Sequence, residues 1–136
     1  MRTIDAIVIH CTAHPDAAFQ VGVREIRADH IINRHWDDVG YHYVIRRNGE
    51  IECGRMESVK GAHCPPVNAT SIGIAWVGIS KPSSEQYASL VRLTRELMHR
   101  YGVAIHRVLG HHEADPMCGK KCPVIPMEQF RVEVGQ

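Results

Sequence analysis

Apolar and polar positions divide the chain into short segments with two periodicities. TIDAIVIHCTA (3–13) is a β-rich apolar run and predicts a buried strand ending on His10. In VGVREIRADHIINR (21–34), positions 23, 26, 30 and 31 fall near helical spacing, which predicts an amphipathic helix. VGYHYVIRRNGEIECGR (39–55) then predicts a hairpin. Tyr41, Tyr43 and Ile45 alternate with His42, Val44 and Arg46, Asn48-Gly49 reads as a two-residue turn, and Ile51 resumes the second strand. Only one of Tyr41 and His42 can face a given side of that strand.

GAHCPPVNAT (61–70) reads as a loop, and SIGIAWVGI (71–79) as a second buried strand whose glycines permit close backbone approach. The segment 81–102 is the plainest helix. Ser83 and Gln86 have capping-box spacing, Tyr87, Leu90, Val91, Leu97, Met98 and Tyr101 form one apolar face, and Gly102 supplies the stop. IHRVLG (105–110) predicts a short strand, and IPMEQFRVEV (125–134) fits a short helix or a strand. Buried strands flanked by amphipathic helices predict an α/β fold: one domain over 1–136, with a central mixed sheet between helices.

Composition narrows the function classes. A chain of 136 residues can bury roughly 70% of the surface its unfolded form exposes, so its need for a structural metal is weak. A net charge of +1 without like-charge blocks gives no argument for nucleic acid. The longest apolar run, 72–79, is far short of the ~18 residues of a membrane span, so no membrane insertion is expected. Ala6–Ile9 is shorter than the roughly 7–15 residues of a secretory h-region, so the expectation is cytoplasmic synthesis without a signal peptide. Five cysteines are an odd number, and reduced thiols or metal ligation are the default.

HHEADPMCGKKCP (111–123) has the composition of a metal site. As a deaminase signature it fails on spacing: only Ala114 and Asp115 separate Glu113 from Pro116, and the cysteines are C-x₃-C. A closed structural knuckle of His111 or His112 with Cys118 and Cys122 suits domains that lack a core, which this chain does not. The remaining reading is half of an open site completed elsewhere. There His10 and His111 end two strands and Cys122 returns from the loop, although His10 taken alone reads first as a core or edge histidine.

IVIHCTA, VGYHYVIRRNGEIECGR, GAHC, NATSIGIAWVG and GHHEADPMCGKKCP occur in that order from about residue 4 to 123. Together they resemble the type 2 N-acetylmuramoyl-L-alanine amidases, the zinc family that includes phage lysozyme-type amidases and peptidoglycan recognition proteins. VGVREIR followed by DVGYH is similar to the phage branch in particular. The resemblance implies a zinc site in a groove at the sheet end, with His10, His111 and Cys122 as ligands of one Zn²⁺. It further implies Tyr41 and Lys120 as catalytic groups and His63 in the substrate groove.

The implied activity is hydrolysis of the amide between N-acetylmuramic acid and L-alanine in bacterial peptidoglycan. Zinc can lower the pKa of water from about 15.7 towards 7, Lys120 would stabilise the developing oxyanion, and Tyr41 would either share that role or help deliver a proton. A phage or prophage endolysin, monomeric and acting on the wall after release, is the expectation. The alternatives are an inactive peptidoglycan-binding module and a cytoplasmic muropeptide-recycling amidase.

Asn68 and Ser71 are open between substrate contact and a turn role. Cys118 is open between an alternative ligand, a disulfide partner and a reduced thiol, with the thiol as default. Cys11 and Cys64 read as small buried fillers, and His112 as lying outside the ligand set. His14, His30, His35, His99 and His106 read as structural, and Trp76 as core.

Overall fold

A computed structural model describes residues 2–118 and 122–136. The central strand β1 (Ala6–Cys11) pairs in parallel with β4 (Ser71–Trp76) on one side and β5 (Val108–Gly110) on the other. β2 (Tyr43–Ile45) lies parallel to β4, and β3 (Ile51–Cys53) closes that edge antiparallel to β2. The order is β3-β2-β4-β1-β5, the mixed sheet expected from the strand and helix pattern. Among the described residues four α-helices accompany it: α1 (Val23–Arg34), α2 (Ser84–Tyr101), α3 (His111–Ala114) and α4 (Met127–Val134).

Strand alternation decides which side chains go where. Ile7, Ile9, Ile72, Ile74, Trp76 and Ile45 face one way and pack under Leu90, Leu93 and Leu97 of α2 and Phe130 of α4. The opposite face carries Ala6, Val8 and His10 from β1, Ser71, Gly73 and Ala75 from β4, and Val44 from β2. Val44 there joins Ala18, Val21, Ile26, Val39 and Val77 in a smaller cluster beneath α1. The small residues of β4 leave room on this face for bulky rings from the loop before it.

The helix boundaries follow local chemistry. Ser83 Oγ accepts from Gln86 N at 3.0 Å while Gln86 Oε1 accepts from Ser83 N at 2.9 Å, and Gly102 ends α2 in the left-handed conformation. α1 starts at Val23, two residues later than expected, where Glu25 accepts from Gly22 N and Glu52 accepts from Val23 N. Three further expectations change. The hairpin turn is a three-residue loop, 47–49: Arg46 N donates to Glu50 O and Gly49 takes a positive φ of 90°. In IHRVLG, Ile105–Arg107 form a 3-10 turn and only Val108–Gly110 pair with β1. The loop 61–70 contains a 3-10 helix, Pro65–Thr70, which begins with two prolines whose missing N–H groups would be unbonded there anyway. The ambiguous 125–134 segment is helical, and it buries Met127, Phe130 and Val134.

Candidate active site

Parallel strands end at the same edge of a sheet. Ile9 lies opposite Gly110, so His10 near the end of β1 and His111 at the start of α3 emerge side by side, with ring centroids 4.5 Å apart. Cys122 is brought back to them by its own backbone. Its carbonyl accepts from His112 N at 3.1 Å and lies 2.8 Å from His112 Nδ1, and the next carbonyl, of Pro123, accepts from Trp76 Nε1 at 3.2 Å. Cys122 Sγ accepts from Cys11 N at 2.9 Å. One donor atom from each of His10, His111 and Cys122 lies within 4.8 Å of the others.

His112 therefore helps to hold Cys122, a contact between side chain and loop backbone that spacing could not show. None of the five cysteines forms a disulfide. A second group, Cys64, His111 and Asp115, also has donor atoms within 4.8 Å. Burial pushes the Cys64 thiol up to about 11, which disfavours the thiolate that a metal requires. Cys122 Sγ instead accepts a backbone N–H from Cys11 and lies 3.7 Å from the Cys11 carbonyl. The first group is the better metal cradle.

The donors open into a cavity of about 390 Å³ lined also by Thr12, Ala13, His30, Arg34, Trp36, Tyr41, Ala62, His63, Ile79 and Val124. Tyr41 stands over His10, ring centroids 5.3 Å apart. Burial first, and then the neighbouring Cys122, raises its phenol above the ordinary value, so the hydroxyl stays protonated. His42 points elsewhere, as strand alternation requires: its Nδ1 accepts from Gly73 N at 3.0 Å.

His63 is 7% exposed and has both ring nitrogens engaged, Nδ1 with His10 Nε2 at 2.9 Å and Nε2 with Ser71 Oγ at 3.1 Å. Desolvation lowers its pKa to about 3 and keeps it neutral. The structure gives Asn68 a turn role, its Oδ1 accepting from His63 N at 3.0 Å and Cys64 N at 2.8 Å. Asn68 also lines an adjoining cleft of about 440 Å³ with Arg34, Trp36, His111, Asp115 and Cys118. Lys120, expected as a catalytic cation, lies outside the described residues.

His30, Arg34 and Trp36 are among the cavity residues that had no part in the expected site. His30 is buried, its Nδ1 accepts from Gly40 N at 2.9 Å, and its ring meets both Trp36 and Tyr41. Arg34 stacks over Trp36, 5.3 Å from its centroid, and borders both cavities. His30 and Arg34 are four residues apart on α1, a spacing that places them on one helix face.

The fold and its donors define an α/β protein with an open His–His–Cys site at the carboxyl ends of parallel strands. The chain belongs to the N-acetylmuramoyl-L-alanine amidase family, whose profile matches residues 1–124. It is 37% identical over 137 residues to the endolysin of Escherichia phage T7, covering 95% of this chain and 86% of that one. It is also 37% identical over 132 residues to the endolysin of Klebsiella phage KP32, covering 91% and 83%. Among solved structures it is similar to the N-acetylmuramoyl-L-alanine amidase LysC from Clostridium intestinale URNW, with a TM-score of 0.86 and 29% identity over 98% of this chain and 87% of that one.

Proposed function

We propose that this protein is a zinc-dependent N-acetylmuramoyl-L-alanine amidase of the endolysin type, cleaving the bond between N-acetylmuramic acid and L-alanine in bacterial peptidoglycan. The observation that carries this reading is the convergence of His10, His111 and Cys122 at the floor of an open cavity. Three protein ligands beside open space are the layout of a catalytic zinc site, whereas a structural site is closed by four. Two neutral imidazoles and one thiolate would leave net positive charge on the ion. Zinc held there would supply Lewis acidity, polarising the scissile carbonyl and lowering the pKa of water towards about 7.

The chain's own groups supply the rest. Tyr41 keeps its proton and donates a hydrogen bond to the oxygen on which charge develops. Lys120, two residues before Cys122, adds a cation to that oxygen, and Asn68 meets the substrate in the adjoining cleft. The protein acts as a monomer on the wall after release from the cytoplasm, and no helix among the described residues is long and apolar enough to cross a membrane. A silent binding module on this fold would need no third ligand, and Cys122 with its backbone anchors favours the enzyme.

The test is to incubate the protein with peptidoglycan, with and without a chelator, and to identify new ends by mass spectrometry. Free L-alanine amino termini that vanish on chelation and return with zinc are expected. Cleavage between sugars, or no cleavage with zinc bound, overturns the reading.

A further inference from the structure

His63 touches the metal cradle without belonging to it, and its hydrogen bonds have a direction that can be worked out from one end. Ser71 Oγ donates its single proton to Val67 O at 2.8 Å, and a carbonyl can only accept. Ser71 Oγ must therefore accept at its 3.1 Å contact with His63 Nε2, so the His63 proton is on Nε2. A neutral imidazole has one N–H, so His63 Nδ1 carries a lone pair. The 2.9 Å contact with His10 Nε2 then requires the N–H to be on His10 Nε2. His10 is left with its lone pair on Nδ1, the nitrogen it would offer to a metal.

We propose that His63 is a positioning residue which, oriented by Ser71, fixes the tautomer and ring angle of His10 for metal binding. This inference rests on the reading of His10, His111 and Cys122 as a zinc site.

Two observations show that the relay is built into the fold. A Cβ on Gly73 would lie 2.6–2.7 Å from His63 ring atoms, so β4 leaves a bare slot into which the imidazole fits. Asn68 Oδ1 takes the backbone N–H groups of both His63 and Cys64, which sets the loop against that slot. Three elements thus converge on one ring that is almost wholly buried. A ring held in this way raises the basicity of the ligand it accepts from and removes the cost of ordering it at binding.

The test has two arms. In the first, the zinc dissociation constant of the full chain is measured by competition with a chromophoric chelator at fixed pH. His63→Ala should weaken zinc about 10–100-fold. His63→Asn, whose carbonyl oxygen can accept from His10 Nε2, should recover most of that loss, and Ser71→Ala should fall between. In the second arm, ¹⁵N-labelled histidine spectra of the metal-free wild type should show His10 protonated on Nε2, and His63→Ala should make its tautomers mix.

Unchanged zinc affinity in a natively melting His63→Ala protein overturns the proposal. So does a wild-type His10 protonated on Nδ1, a reading that needs no variant to fold. A wild-type protein that binds no zinc refutes the metal reading instead, and the spectra still decide the relay.

Discussion

The backbone N–H of Cys11 donates to Cys122 Sγ at 2.9 Å, joining the central strand to a loop 111 residues away. This bond sits beside His10 and fixes the sulfur on the cradle side of the chain. Cysteine binds zinc as the thiolate. Cys122→Ser should abolish tight zinc binding and wall lysis while leaving the far-ultraviolet circular dichroism unchanged. Cys118→Ser, in the neighbouring cleft, should keep both. Loss of zinc in the Cys118 variant alone, measured by atomic absorption, would refute the ligand assignment.

Tyr41→Phe removes a hydroxyl and leaves the ring that packs on His10 and His30. Zinc affinity should be unchanged, while kcat on purified muropeptides should drop about 10²–10³-fold, the usual cost of losing an oxyanion donor. A change confined to KM would place Tyr41 in substrate binding instead.

Gly73→Ala pushes a methyl group against His63 from a rigid strand. Overpacking of this kind costs about 1–3 kcal/mol. The variant should melt earlier in the metal-free form and also bind zinc more weakly. An equivalent Gly102→Ala change, which meets no atom within 4 Å, should affect only the helix end through its positive φ.

Acid should destabilise the fold through buried neutral histidines. His42 is lowered from 6.5 to about 4, first by desolvation, and its Nδ1 accepts from Gly73 N while its Nε2 lies 2.7 Å from Val59 O. Below pH 6.5 the unfolded chain takes up a proton that the folded chain refuses, so stability is full above that pH and falls as pH drops towards about 4. His30 and His63 are lowered as well and act in the same direction. Thermal melts of metal-free protein should fall over this window, less steeply in His42→Asn. An identical slope in the variant would assign the loss to other groups.

Gln86 is a polar side chain with no exposed surface, at the start of α2. Its Nε2 donates to Ile45 O and Val77 O, and its Oε1 accepts from Arg47 and from Ser83 N. It thus closes the ends of β2 and β4 with one amide. Gln86→Leu takes the acceptor from Ser83 N and one donor from each carbonyl, although Ile45 O keeps Val77 N and Val77 O keeps Arg47, and should cost about 1–3 kcal/mol in chemical denaturation. A neutral result would mean that the amide adds nothing to the bonds from Val77 N and Arg47.

The local parts of this protein were legible in the sequence because their causes are local. The Ser83–Gln86 box and Gly102 bounded α2, and the apolar run 71–79 marked the buried strand that is β4. The turn at Gly49 was found but given one residue too few, because loop count depends on which residues pair across it. The helical state of 125–134 was undecided, since so short an apolar segment fits either period until Phe130 has a surface to pack on. The candidate ligands came from resemblance, as nothing in the spacing of His10 and His111 says that they meet.

What the chain determined by itself was therefore most of the strands, the longest helix with its caps, and the donor types available. Tertiary structure decided that β1 and β5 lie in parallel, which turns a separation of 101 residues into two rings 4.5 Å apart. It also decided that His63 lies over Gly73 with both nitrogens engaged, and that Arg34 stacks on Trp36 beside the cavity. Strand order depends on burying both faces of the sheet at once, which is a property of the whole chain. Periodicity reports only which face a residue takes, never which residue will stand opposite.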